Sequence, residues 1–430
     1  MDGACQISEP CFFFRLLTLC DVCSPRMADQ ILSRQILITS KEILAMDLNL
    51  TDDQTMIQDM AGKFAKNELA PIAAKLDQQG DRELFLTSLK KLAELGFMGL
   101  NVDGQYGGAG AGTVAFSLAI AEVAKACAST AVTMSVTNMV AEVIQAVASE
   151  EQKNKYLPKL CSGEYRAGSF CLSEATAGSD PSNMKTTAVL EGQEWVINGA
   201  KHYITSAEYA GVFVLWAVTD KTQPNGKGIS CFLVEKGSPG LSVSKAEKKM
   251  GQHASCTNEV LFENCRIPKN ALMGELNEGF KIAVGELAGG RIGIGAVALG
   301  IGRTAMDYAR NYITEREQFG QPISNFQGLQ WMLADAYTEL EAASLLLMSA
   351  ADKKDKGQPF AKAASMAKLY ASETANKACY TALQLMGGAG YIKEFPLERY
   401  ARDVRVTSIY EGTSEIQRVI IARELLREIA

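Results

Sequence analysis

Val212-Phe213-Val214-Leu215-Trp216 is a run of β-branched and aromatic side chains with no helical spacing, and its reading decides the fold. A short apolar run of this kind, followed by turn-forming residues, reads as a buried strand. Similar runs surround it: Trp195-Val196-Ile197, residues 229–234 and Val260-Leu261-Phe262. Residues 166–275 are therefore expected to form a small β-barrel or sandwich. On both sides of this region the period changes. Thr51 and Gln54 have capping-box spacing, and Met56, Ile57, Met60 and Phe64 recur at helical intervals; Ser149 and Gln152 mark another helix start. Residues 46–165 thus read as a helical domain. Helical patterns over 280–313, 329–353 and 360–386 predict an antiparallel four-helix bundle within 276–430. The expected class is a multidomain α+β protein, because the order helix, sheet, helix lacks βαβ alternation.

Two glycine patterns invite nucleotide-binding readings and neither holds. Residues 104–112, Gly-Gln-Tyr-Gly-Gly-Ala-Gly-Ala-Gly, lack the Lys-Ser/Thr of a P-loop and read as an interhelix turn. Gly293-Ile-Gly295-Ala-Val-Ala298 and Gly300-Ile-Gly302-Arg-Thr-Ala305 match G-x-G-x-x-A, but neither follows a strand. Inside one helical pattern, small residues there serve close helix packing.

The 430 residues carry a net charge of −6 and show no basic face, which argues against a nucleic-acid partner. No apolar run reaches the roughly 20 residues needed to cross a bilayer, so no membrane span is expected. The composition is that of a soluble globular protein. Its 11 cysteines follow no disulfide framework, and Cys171, Cys231 and Cys379 sit in apolar surroundings, as reduced intracellular thiols do. Cys20 and Cys23 form a lone C-x-x-C without a second pair. With only His202 and His253 present, neither a histidine-rich metal site nor a Ser-His-Asp hydrolase is expected. Residues 1–45 form an N-terminal extension expected to be poorly ordered. The acids Asp2, Glu9, Asp21, Asp29 and Glu42 interrupt it, which favours an upstream start on a bacterial, cytoplasmic protein over a transit peptide for the mitochondrial matrix.

Near the C-terminus the chain reads Thr407-Ser-Ile-Tyr-Glu411-Gly-Thr-Ser-Glu-Ile-Gln-Arg418. Ser414 and Gln417 have capping-box spacing before an apolar helical run, so a helix is expected to begin near Ser414. Glu411 then lies in the entering loop beside Gly412, which lets the backbone turn sharply. Taken alone, this segment is read equally well as an aimed carboxylate base or as a solvated loop acid.

Five strings in order decide between them: Cys171-Leu-Ser-Glu174 with Gly178-Ser179-Asp180, Lys201-His-Tyr-Ile-Thr205, Arg316-Glu-Gln-Phe-Gly320, Gln384-Leu-Met-Gly387-Gly388-Ala-Gly390-Tyr391, and the Glu411 segment. They run in order from Cys171 to Arg418, and over about 385 residues, from about Met46 to the end, the chain resembles the acyl-CoA dehydrogenases, the short-chain, butyryl-CoA type most closely. The resemblance implies FAD-dependent α,β-dehydrogenation of a short-chain acyl-CoA to the trans-2-enoyl-CoA. Glu411 would abstract the C2 proton while flavin N5 takes the C3 hydride. It also implies a homotetramer that passes electrons to an electron-transferring flavoprotein.

By the same resemblance, Phe170, Leu172, Ser173, Tyr203, Ile204 and Thr205 lie along the flavin ring. Gly178 and Ser179 serve pyrophosphate or pantetheine. Arg316, Gln318, Phe319, Gln327, Gln384, Gly387 and Gly388 hold the adenine half across a subunit interface, and Thr413 and Glu415 add flavin contacts. Ser179, Gly290, Arg291 and Gly412 are the substrate candidates. Some relatives carry the base immediately before an arginine on the first bundle helix, and here that place is Gly290 before Arg291. Its lack of an acid leaves Glu411 as the matching base. Tyr203 stands where many relatives have Trp, Ala175 replaces a frequent Pro, Asn183 replaces a small residue, and His253 an Arg. Three alternatives remain: a short or branched-chain dehydrogenase, an acyl-CoA oxidase of the same fold, and a non-catalytic acyl-CoA-binding or assembly protein.

Overall fold

The computed structural model describes residues 49–429. The Cys20 and Cys23 pair and the competing readings of residues 1–45 lie outside them. The first helix, α1 (Asp52–Phe64), starts where the spacing predicts: Gln54 N donates to Thr51 Oγ1 at 3.2 Å and Thr51 N to Gln54 Oε1 at 3.0 Å. This reciprocal pair satisfies two backbone donors that a bare helix end would leave open. Helices α2 (Ala73–Gln79), α3 (Arg82–Glu94), α4 (Gly112–Ala126), α5 (Ala128–Val147) and α6 (Glu150–Cys161) follow. The Ser149 and Gln152 capping box opens α6.

The glycine-rich segment 104–112 is an interhelix connection, as its sequence suggests. Its charge partner comes from inside the chain: the Asp355 carboxylate accepts from Thr113 N at 2.6 Å and Val114 N at 2.9 Å. The α4 N-terminus, where an anion would bind, is thus already filled by a carboxylate.

The strands are β1 (Ala167–Cys171), β2 (Thr187–Glu191), β3 (Glu194–Thr205), β4 (Ala210–Val218), β5 (Ile229–Glu235), β6 (Leu241–Val243), β7 (Thr257–Pro268) and β8 (Leu272–Met273). They form one eight-stranded mixed sheet in the order β6-β7-β3-β2-β4-β5-β8, with β1 parallel to β4. The 212–216 run explains why the sheet curls. Val212, Val214 and Trp216 enter a core shared with Val140 and Ile144 of α5 and Leu157 of α6. Phe213 and Leu215 enter a second core, whose other wall is Ile197, Val260 and Phe262 from strands across the same sheet. Both faces of β4 are therefore covered, so its sequence is continuously apolar instead of alternating.

Then come α7 (Gly279–Glu315), the hairpin β9 (Glu317–Gln318) and β10 (Gln321–Pro322), α8 (Gln327–Asp355), α9 (Ala361–Met386), α10 (Gly388–Tyr391), α11 (Leu397–Arg405) and α12 (Ser414–Arg427). The expectation of no long apolar stretch needs correcting for α7, which is long and apolar enough to cross a membrane by length and composition. Its apolar window is 72% buried inside the protein, so here it is a core helix. The paired glycines lie in mid-helix, as expected. A Cβ at Gly300 would overlap the Ala121 carbonyl oxygen, and one at Gly302 would press on Leu340 and Ala375. Glycine lets neighbouring helices approach along α7.

Candidate functional site

Glu411 stands at the junction of α7, α9 and the loop before α12. Its backbone is left-handed, φ +57°, and Gly412 follows at φ +85°. A non-glycine residue in this region costs about 1–2 kcal/mol, so the surrounding structure must hold it there. It does so through Gln417, whose Nε2 donates to the Glu411 carbonyl at 3.2 Å and the Gly412 carbonyl at 2.9 Å. Lys368 Nζ also donates to the Gly412 carbonyl, at 2.8 Å.

The expected capping residues are corrected at this point. Thr413 is the N-cap of α12 and its Oγ1 accepts from Ile416 N at 3.3 Å. Ser414 instead donates to Glu373 Oε1 at 2.5 Å, and Gln417 braces the Glu411 turn. The hydroxyl that caps the helix is one residue earlier than the pattern suggests, and Ile416 cannot return the bond, so this is a one-sided cap and not a box.

The Glu411 carboxyl occupies the space above Gly290, where a Cβ would overlap Oε1. Oε1 is buried and has no hydrogen-bond partner. Burial raises the Glu411 acid to about 7, against the pull of Arg291 and Lys368 toward the ionised form. Burial likewise lowers the Lys368 amine to about 8, with Glu411 working the other way. Arg291 is 6% exposed; its Nη1 lies 3.4 Å from Ser365 Oγ, and its Nε is unpartnered. A carboxyl that titrates near neutral pH, with a free oxygen facing inward and two cations nearby, can take up and release a proton.

The adjacent wall comes from β1 and β3. Glu174 and Lys201 form a buried ion pair at 2.8 Å, and Lys201 Nζ also donates to the Leu172 carbonyl at 3.1 Å. His202 N donates to the Ser173 carbonyl at 2.9 Å, and Ser169 Oγ to the Thr205 carbonyl at 2.8 Å. These bonds bring Phe170, Leu172 and Ser173 beside Tyr203, Ile204 and Thr205. Tyr203 is 71% exposed at φ +60°, a strained and open aromatic position, and Gly178 and Ser179 are exposed. Phe170 and Tyr410 pack on one small apolar cluster of Val132, Val136 and Ile294, so the wall and the Glu411 loop converge. Tyr410 is held in turn, because Gln252 Nε2 donates to its hydroxyl at 3.2 Å and to the Asp403 carbonyl at 3.0 Å.

The remaining candidates lie elsewhere. Arg316, Gln318 and Phe319 follow the far end of α7, with Gln327 opening α8; all four are exposed, Phe319 at 93% and φ +55°. Gln384, Gly387 and Gly388 end α9, also exposed, with Gly387 at φ +57°. At 1.5 Å per residue, Gly290 and Arg316 are roughly 39 Å apart along α7. Thr413 and Glu415 stay with the Glu411 loop. Lys368, Gln417 and Gln252 were not anticipated. Lys368 had a visible signal, since it interrupts the small-residue stripe Ala364, Ala367, Ala371 and Ala375 that α9 buries. A lysine on such a stripe is buried with its charge.

Family models described as acyl-CoA dehydrogenase N-terminal, middle and C-terminal domains match residues 51–164, 169–265 and 277–426. The chain is 44% identical over 384 residues to the short-chain specific acyl-CoA dehydrogenase of Clostridium acetobutylicum, covering 89% of this chain and 100% of that protein. It is 44% identical over 393 residues to the acryloyl-CoA reductase (NADH) of Anaerotignum propionicum, covering 91% and 98%. The structure of butyryl-CoA dehydrogenase from Megasphaera elsdenii is similar at a TM-score of 0.85 and 39% identity, covering 89% and 100%.

Proposed function

We propose that this chain, which belongs to the acyl-CoA dehydrogenase family, uses Glu411 as the base that removes the C2 proton of a short-chain acyl-CoA, giving the trans-2-enoyl-CoA. The observation that carries this reading is the buried, unpartnered Glu411 oxygen over Gly290, on an acid raised to about 7. A surface carboxylate is too weak a base for a thioester α-proton; one raised by burial is better matched. Arg291 and Lys368 keep enough of it ionised at neutral pH. Gln417 aims it by fixing both carbonyls of the turn.

FAD supplies the acceptor for the C3 hydride when bound. The donor set fits a flavin: Phe170, Leu172 and Ser173 run beside Tyr203, Ile204 and Thr205 as one surface with an open aromatic position, next to the Gly178 and Ser179 turn. Thr413 and Glu415 at the α12 N-terminus complete that side. Arg316, Gln318, Phe319, Gln327, Gln384, Gly387 and Gly388 suit the adenine half. Their distance along α7 from Gly290 supports delivery by a second subunit, hence a homo-oligomer, a tetramer by family resemblance, with an electron-transferring flavoprotein as electron acceptor. Ser179, Gly290, Arg291 and Gly412 are the proposed substrate contacts. The domain limits proposed are 46–165, 166–275 and 276–430.

The likeness to an acryloyl-CoA reductase favours a second reading, in which the same groups run in reverse and neutral Glu411 protonates C2. An acid titrating near 7 has both forms at hand. Anaerobic bleaching of the flavin by butyryl-CoA, in wild type and Glu411→Gln, tests the assignment. The wild type should bleach and the variant should keep its flavin without bleaching; near-normal bleaching in Glu411→Gln sinks the role of Glu411. A panel from butyryl- to octanoyl-CoA with isobutyryl- and 2-methylbutyryl-CoA places the acyl limit, and turnover with crotonyl-CoA and a reductant scores the reverse direction.

A further inference from the structure

Glu286 lies one turn before Gly290 on α7, so Glu286, Gly289 and Gly290 share a helix face. That face meets two charged groups of neighbours. At Gly290 a Cβ would overlap Glu411 Oε1; at Gly289 it would sit 2.9 Å from Lys354 Nζ and 3.5 Å from Glu142 Oε2. Lys354 and Glu142 form an ion pair at 2.5 Å, and Asn101 Nδ2 donates to the other Glu142 oxygen. The Lys354 and Glu142 side chains are 23% and 14% exposed, so this end of the row touches solvent. Glu286 Oε1 and Glu411 Oε1 are both buried without a hydrogen-bond partner.

Burial and the facing Glu142 carboxylate hold the Glu286 acid well above its ordinary range, with Lys354 opposing and Glu411 reinforcing the shift. These surroundings favour the protonated form of Glu286. The groups facing it are Glu142 from α5, Lys354 from α8 and Glu411 from the C-terminal loop, with Arg291 and Lys368 acting on Glu411. Glu286, Glu142 and Lys354 have no part in abstracting the proton from C2 as proposed above. They form a row of titratable groups that leads away from the base to the surface.

We infer that Glu286 is the positioning residue through which Glu411 exchanges its proton with solvent, by way of Glu142. The inference rests on Glu411 being the base. The proton count closes: Glu411 takes H⁺ from C2, its new O–H breaks as the free Glu286 oxygen takes that proton, the O–H already on Glu286 breaks toward Glu142, and Glu142 releases H⁺ to water. No electrons move in these steps. In this relay Glu286 acts only through Glu411.

The test is anaerobic incubation of the flavin-loaded enzyme with butyryl-CoA in heavy water. Deuterium at C2 of the recovered butyryl-CoA is measured by mass spectrometry alongside the rate of flavin bleaching. In Glu286→Gln, deuterium uptake should fall roughly tenfold more than the bleaching rate, because the base still takes the proton but returns it to C2 before it escapes. Glu142→Gln should show the same disproportion, and Glu286→Asp should recover part of the uptake. Uptake that falls only in step with bleaching, or that matches wild type, overturns the relay. If Glu286→Gln fails to hold flavin, Glu286→Asp and Glu142→Gln decide by the same ratio. Bleaching that persists in Glu411→Gln defeats the base assignment, whereas wild-type uptake in Glu286→Gln with an inert Glu411→Gln defeats the relay alone.

Discussion

Glu174 and Glu411 are two carboxylates withdrawn from water in the same chain, and their surroundings drive them in opposite directions. Glu174, beside the sheet, accepts from Lys201 Nζ at 2.8 Å, Lys185 N at 2.6 Å and Thr186 N at 3.0 Å. Burial works to raise it, but Lys201 and the two amides hold it below the usual carboxylate range. Glu411 has an empty Oε1 and only more distant cations, so burial wins and its acid rises to about 7. Burial by itself thus does not decide protonation; the count of donors in contact does. The sheet spends its donors on fixing a charge that never changes. The C-terminal loop withholds them from the carboxyl proposed to take up and release a proton.

The sharpest break of this contrast is Glu411→Gln. It should lower dehydrogenation by roughly 10³-fold or more, since the proton acceptor is lost with little change in size. Steady-state turnover checks it, with flavin absorbance reporting the intact fold. Next in size is Lys201→Met, which leaves Glu174 charged, buried and short of its strongest donor. It should cost about 3–5 kcal/mol, read as a fall in Tm.

The two carboxylates should also differ in how stability follows pH. Glu411 moves from 4.5 to about 7 on folding, so between those values the native chain holds a proton that the unfolded chain releases. Its contribution to stability is present at low pH and declines as pH rises, by up to about 3 kcal/mol above 7. Glu411→Gln should therefore gain Tm at pH 8 and little at pH 5, stabilising while inactivating. Glu174, lowered on folding, contributes above its ordinary range and loses that contribution only in acid. A Glu411→Gln variant with equal Tm changes at both pH values would dissolve the comparison.

A smaller effect is kinetic. Below about 7 the rate should fall tenfold per pH unit as Glu411 protonates, and a limb near 4.5 would mean an ordinary solvated acid. Smallest is Gln417→Leu, which removes two bonds to the carbonyls of the strained turn. It should cost about 1–2 kcal/mol of stability and lower kcat more than KM, because the carboxyl loses its aim while Ser179, Gly290 and Arg291 keep their places.

Much of this was legible in the chain. The 212–216 run and its neighbours lie within strands, the 280–313, 329–353 and 360–386 patterns lie within three long helices to within a few residues at their ends, and two capping boxes form as spaced. Local periodicity carries such features because each depends on residues three or four positions apart. The third box failed because Thr413, one residue earlier, caps the helix although Ile416 cannot reciprocate, while the Ser414 hydroxyl is drawn to Glu373. The Asp355 cap on α4 could not be read at all, with 242 positions between donor and acceptor.

The candidate site divides in the same way. Sequence alone determined the strings that name the family, placed Glu411 beside a glycine before a helix, and showed that no acid stands at position 290. Tertiary structure alone decided what Glu411 is chemically. Arg291 from α7, Lys368 from α9 and Gln417 from α12 reach it from different elements, and the missing side chain at Gly290 makes the room it fills. Proton affinity depends on the distance to charges, donors and water in three dimensions, and none of those distances is encoded by neighbours along the chain.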